Sequence, residues 1–93
     1  MLYQFAIHVP KPEHEQALID SMHRFGAAAR DQAGLVEAHT LKDQRSGTLV
    51  GFAIWETMDA LMAARPVLGA ATEGDDFDLW EAEPVRVFLL EEV

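Results

Sequence analysis

Leu49-Val50-Gly51-Phe52-Ala53-Ile54-Trp55-Glu56-Thr57-Met58-Asp59-Ala60-Leu61 is the stretch from which the fold of this chain is read. The run from Leu49 to Trp55 is apolar without a break, and its extended form is apolar on both faces. Leu49, Ala53 and Trp55 share one face, and Val50, Phe52 and Ile54 share the other. Thr57 is placed to cap a helix, with Asp59 in its first turn and Leu61, Met62, Ala64 and Arg65 following. Pro66 is expected to kink or break that helix.

Working outward, the polar segment Lys42-Asp43-Gln44-Arg45-Ser46-Gly47 reads as a hairpin loop joining the Thr48–Glu56 strand to a strand over Leu35–Leu41. Gly34 is placed to end a preceding helix that starts near Pro12 and runs to about Gln32. Leu18, Met22, Phe25 and Ala29 form its apolar stripe. The first strand, Leu2–Val9, alternates Tyr3, Phe5, Ile7 and Val9 with Gln4, Ala6 and His8. Residues 72–84 are acidic and aperiodic and read as an irregular connection to a last strand over Val85–Leu90. The order β-α-β-β-α-β is the split βαβ motif. It predicts an α+β, ferredoxin-like fold with an antiparallel four-stranded sheet in the order 4-1-3-2 and both helices on one face.

The two-faced strands have a consequence for assembly. Helices cover only one face of such a sheet, yet the third and fourth strands are apolar on both. A homodimer packed sheet to sheet, a dimeric α+β barrel, is the expected solution. On the third strand the bulkier set, Val50, Phe52 and Ile54, is expected to meet the partner.

Length and charge narrow the remaining possibilities. The 93 residues make a single domain spanning 1–93, without cysteine for disulfides or thiolate metal sites. Of the net charge of −9, the residues from Pro66 onward carry −7, with Arg86 their only base. No basic cluster exists to displace counterions, so neither nucleic acid nor an anionic membrane is an expected partner. The longest apolar run falls far short of the ~18 residues of a membrane helix. The opening residues lack the charged start of a signal peptide, and a cytoplasmic protein is expected.

The run from Gly51 to Leu61, a strand ending in Trp-Glu, a capping Thr, then an acid and Ala-Leu, resembles the antibiotic-biosynthesis-monooxygenase family. The Gly34-Leu35 step, the turn around Asp43 and the segment Asp76-Phe77-Asp78-Leu79-Trp80-Glu81-Ala82-Glu83-Pro84 resemble it too, so the likeness spans the chain. It implies a dimeric α+β barrel with a ligand cavity between helices and sheet in each subunit. Some members oxidise aromatic polyketides with dioxygen and no metal or flavin, others degrade haem. The haem-degrading branch uses an asparagine on the first strand, a tryptophan on the second helix and a histidine just beyond. Phe5, Ala64 and Gly74 stand near those positions, so haem degradation is not expected.

Three sets of residues are candidates for chemistry. The four histidines give no metal set: His14 and His23 are out of phase on one helix, and His8 and His39 lie on strands separated by a third. His8 and His39 are instead candidate catalytic bases. Gln4, His8 and Arg86 form a second set, a polar pocket or, on the plainer reading, a polar rim fixing dimer register, with His8 and Arg86 opposite each other toward the partner. Tyr3, Phe5, Phe25 and Trp55 form the third. By the family anchoring Phe5 faces the helices, so these aromatics would line any cavity and favour a flat, apolar ligand. The expected function is a cofactor-independent monooxygenase acting on a small aromatic or apolar molecule. The alternative is a non-catalytic ligand-binding or interaction module of the same fold. A cavity with at least two inward polar groups favours the first reading, and a closed aromatic core the second.

Overall fold

A computed structural model describes residues Met1–Val93. Strand β1 (Leu2–His8) leads through a 3₁₀ turn at Pro12–His14 into helix α1 (Glu15–Arg30). Pro12 opens this turn because its missing N–H is one that no helical start can satisfy. Gly34 then turns the chain into β2 (Leu35–Lys42) at a φ of 85°, where a β-carbon would also lie 2.5 Å from that of Ala60. Conformation and close approach both demand glycine there.

A hairpin loop joins β2 to β3 (Leu49–Trp55). Helix α2 (Met58–Ala71), the single turn α3 (Phe77–Trp80) and β4 (Arg86–Glu91) complete the chain. Thr57 caps α2 as expected, its hydroxyl accepting from the Ala60 amide at 3.1 Å. The expected break at Pro66 does not occur, and α2 runs through it to Ala71. The segment after α2 is also more ordered than its composition suggests. Asp76 caps α3 by accepting from the Leu79 amide, and Glu81 bridges to Pro10 beside the end of β1. No helix is long and apolar enough to cross a membrane.

The sheet is antiparallel with order β2-β3-β1-β4, the order expected. Its helix-facing side carries the core: Leu2, Ala38, Ala53 and Trp55 pack with Ala29 of α1 and Leu61, Ala64 and Leu68 of α2. A smaller cluster of Leu18, Met22 and Leu49 lies at the other end of the helix layer. The register fixes which residues share each face. Gln4 pairs with Ala53 and Ala6 with Gly51, whereas Phe5 pairs with Phe52 and Tyr3 with Ile54.

This register corrects the parity expected for β1. Tyr3, Phe5 and Ile7 lie on the open face, where Phe5 stacks on Phe52 at 4.9 Å between ring centroids. Gln4, Ala6 and His8 point toward the helices. On β3 the faces fall as expected, with Val50, Phe52 and Ile54 open and Leu49, Ala53 and Trp55 inward. Arg86 pairs with Ile7 and so lies on the open face, away from His8. The facing His8/Arg86 pair therefore does not form.

Candidate functional site

The inward face of β1 forms the floor of a cavity of about 230 Å³ between sheet and α1. The floor is deep because its residues are small: Ala6 lies beside Gly51, and Gln4 beside Ala53. Met22 and Phe25 of α1 and Phe77 of α3 supply apolar walls. Val85 and Val87 border the cavity beside β1 and stay 41% and 56% exposed, so that side is open.

Two polar side chains stand at opposite ends of this floor, four residues apart on one strand. The first is Gln4. The indole N–H of Trp55, a residue with no exposed surface, donates to Gln4 Oε1 at 2.9 Å. Indole N–H can only donate, so the amide must offer its oxygen to Trp55. Its NH₂ group has no protein partner and is left for the cavity.

The second is His8, whose side chain is 11% exposed. Its Nδ1 is hydrogen-bonded to the Glu81 carboxylate, and Phe77 stacks over the ring at 6.4 Å. An ionised carboxylate only accepts, so Nδ1 carries the proton of that bond. Nε2 makes no hydrogen bond within the protein. In the neutral ring it therefore holds a lone pair, the arrangement of a proton acceptor.

The segment after α2 is fastened over the cavity at two points. Asp75 accepts from Ser21 Oγ at 2.6 Å and from Arg24 Nη2 at 2.7 and 2.8 Å, both on α1. Ser21 is almost fully buried and borders the cavity. At the far end, Ala82 donates its amide to the Val9 carbonyl at 2.7 Å and Lys11 donates to the Trp80 carbonyl at 2.8 Å. Glu81 sits between these two backbone bonds.

The other expected site residues are distributed as follows. Phe25 lines the cavity. Trp55 is in the core and acts on the cavity through Gln4. His39 borders the cavity at the β2 side, but its ring stacks on Phe52 at 6.1 Å on the open face and is half exposed. Tyr3 and Phe5 do not line the cavity. The Tyr3 hydroxyl donates to Glu92 at 2.8 Å, and that bond raises the phenol above its ordinary range. Glu81, Asp75, Ser21 and Phe77 were not anticipated as site residues. The signal for Glu81, Asp75 and Phe77 is the interleaving of acids with Phe77, Leu79 and Trp80, which a purely solvated loop would not carry, whereas Ser21 on α1 has none.

No family model and no curated protein matches the sequence. Solved structures do match in fold. Rv0793 from Mycobacterium tuberculosis superposes with a TM-score of 0.85 at 20% identity, over 99% of this chain and 94% of that one. PA3566 from Pseudomonas aeruginosa gives 0.81 at 19% identity, over 99% and 93%. A structure described as an antibiotic biosynthesis monooxygenase gives 0.75 at 17% identity, over 100% and 99%. At such identities the likeness is one of fold. The chain has the ferredoxin-like α+β fold found in antibiotic-biosynthesis-monooxygenase-like proteins.

Proposed function

We propose that this protein works as a homodimer whose cavity binds a small, flat, largely apolar molecule, and that His8 removes a proton from it to start a cofactor-independent oxidation by dioxygen. The observation that carries this reading is a pair of polar groups without protein partners in a mostly apolar cavity, the lone pair of His8 Nε2 and the NH₂ of Gln4. A base and a hydrogen-bond donor at the two ends of one floor suit a molecule that loses a proton at one end and carries an oxygen at the other. The volume of about 230 Å³ is below that of drug-sized pockets and suits one or two rings. His39 is turned to the open face, which leaves His8 as the base.

The oxidation balances without a cofactor. At a ring methylene made acidic by a neighbouring carbonyl, two hydrogens leave with one oxygen atom as water, and the other oxygen stays as a carbonyl. The substrate supplies all four electrons. Proton removal by His8 makes the electron-rich anion that dioxygen can oxidise, and Gln4 stabilises the oxygen on which its charge rests.

Dimerisation is supported by the open face of the sheet. Phe5, Phe52, Ile54, Phe88 and Leu90 form a continuous apolar surface there, with Phe88 and Leu90 43% and 47% exposed. A surface of this kind calls for a partner, and a second copy of the same sheet is self-complementary about a two-fold axis.

Oxygen uptake with a panel of one- and two-ring hydroaromatic ketones and hydroquinols tests the catalytic reading. Wild-type protein should accelerate uptake over boiled protein for at least one compound, and His8→Ala should lose about 10²-fold or more of that rate. Calorimetric binding across the panel with no uptake above the boiled control would instead establish the alternative, a non-catalytic binding module.

A further inference from the structure

We infer that Glu81 is the positioning residue of the site, fixing His8 in the tautomer that accepts a proton and selecting ligands that arrive as neutral acids. The inference rests on the proposed role of His8 and goes beyond it. Glu81 is 73 residues from His8 in sequence, and its side chain is only 6% exposed. Its one side-chain partner is His8 Nδ1. Burying a carboxylate against a histidine is no better for stability than an apolar pair of the same shape, so stability alone does not account for it. The backbone on both sides of Glu81 is bonded to the stretch just after His8, through Ala82 to Val9 and Trp80 to Lys11. Phe77, from the same segment, packs on the imidazole and restricts its rotation. The segment therefore supplies the acid, its placement and the packing together.

The chemistry follows from this placement. The bond to Glu81 keeps the proton on Nδ1 and the lone pair on Nε2. When the ligand's O–H or C–H breaks, its electron pair stays on the ligand and a new N–H bond forms at Nε2. The imidazolium so formed keeps its Nδ1–H on Glu81, whose charge offsets that of the ring. An anionic ligand would instead bring a second negative charge beside Glu81 with no proton to neutralise it. The class selected is a neutral one- or two-ring molecule with a weakly acidic hydroxyl or a carbonyl-activated C–H.

Nitrogen-15 NMR of the histidine rings in the ligand-free full chain tests the tautomer directly. Neutral His8 should be protonated on Nδ1 alone in wild type, and Glu81→Leu should move the proton wholly or partly to Nε2. Glu81→Gln, whose amide can donate to Nδ1 as well as accept from it, no longer fixes the proton and should give a mixture of the two tautomers. Wild-type His8 protonated on Nε2, or an unchanged tautomer in Glu81→Leu, would overturn the inference, and the wild-type spectrum decides even if the leucine variant does not fold. Binding of 2-naphthol, followed by the absorbance of its anion, separates charge from shape. Wild type should raise the anion fraction, and Glu81→Gln should cut that rise by about tenfold while naphthalene binding changes little. An equal rise in both proteins would refute the charge role. If neither probe binds wild type, the proposed ligand class falls, and the tautomer still decides the role of Glu81.

Discussion

The side chains of β1 invert the usual relation between polarity and burial. Beyond Leu2, which is in the core, the large apolar residues Tyr3, Phe5 and Ile7 lie on the open face, whereas Gln4, Ala6 and His8 face the helices. The expectation that Phe5 faces the helices rests on the family anchoring and coincides with the ordinary rule for a one-sided sheet. The rule fails here because a cavity floor needs small side chains and a few polar ones, while the outer face is built as if to be covered. His8 and Gln4 were thus legible as polar candidates, but not their direction. Gln4→Leu should leave the Trp55 indole N–H buried without an acceptor and cost about 1–3 kcal/mol in a urea melt. Gln4→Glu, which restores an acceptor, should recover part of that loss. Asp43, in the β2–β3 loop, accepts from the Ser46 hydroxyl and from the Arg45 and Ser46 amides, which hold its carboxyl below the ordinary range. A carboxyl lowered by folding stabilises above its unfolded value and loses that contribution as pH falls through its folded one. Asp43→Asn should flatten the acid side of the stability profile, measured by urea melts between neutral and acidic pH.

Elements with strong local signals form where the sequence places them. The Thr57 cap is local and forms as expected, and Gly34 takes a positive-φ turn into β2, although α1 itself ends earlier, at Arg30. Thr57→Ala should cost about 1 kcal/mol, read as a lower urea midpoint with an unchanged slope. Pro66 does not break α2, because packing of Leu61, Ala64 and Leu68 carries the helix through the proline. The segment from Thr72 to Pro84 is an irregular connection as expected, apart from the single turn α3, but it is pinned at both ends. Its order comes from partners far away in sequence, Ser21 and Arg24 for Asp75 and His8 for Glu81. No window of neighbouring residues reports such contacts. Asp75→Ala should leave buried Ser21 without its acceptor and loosen one end of the segment. The measurable result is faster hydrogen exchange at the Glu73 and Leu79 amides on either side of residue 75, with the β1–β3 ladder unchanged.

At the scale of the whole molecule, the order of elements was sufficient to give the sheet order β2-β3-β1-β4. The cavity was not legible in the same way, because its volume is the space left by Ala6, Gly51 and Ala53 rather than a motif. Phe52→Asp should place a charge in the middle of the open face, where Phe5 and His39 stack on the ring, and give monomer by light scattering, against the dimer proposed for wild type. Ala53→Asp, one residue along, falls on the inward side and should unfold the protein instead. The proposed ligand site is the inward floor of β1. A proton–nitrogen NMR titration with 2-naphthol tests it most directly. The Gln4 side-chain NH₂ and the amides of Ala6, Gly51 and Phe77 should shift with saturation, while those of Ile54 and Leu90 on the open face stay in place. Shifts confined to the open face, or none at saturating ligand, would contradict it.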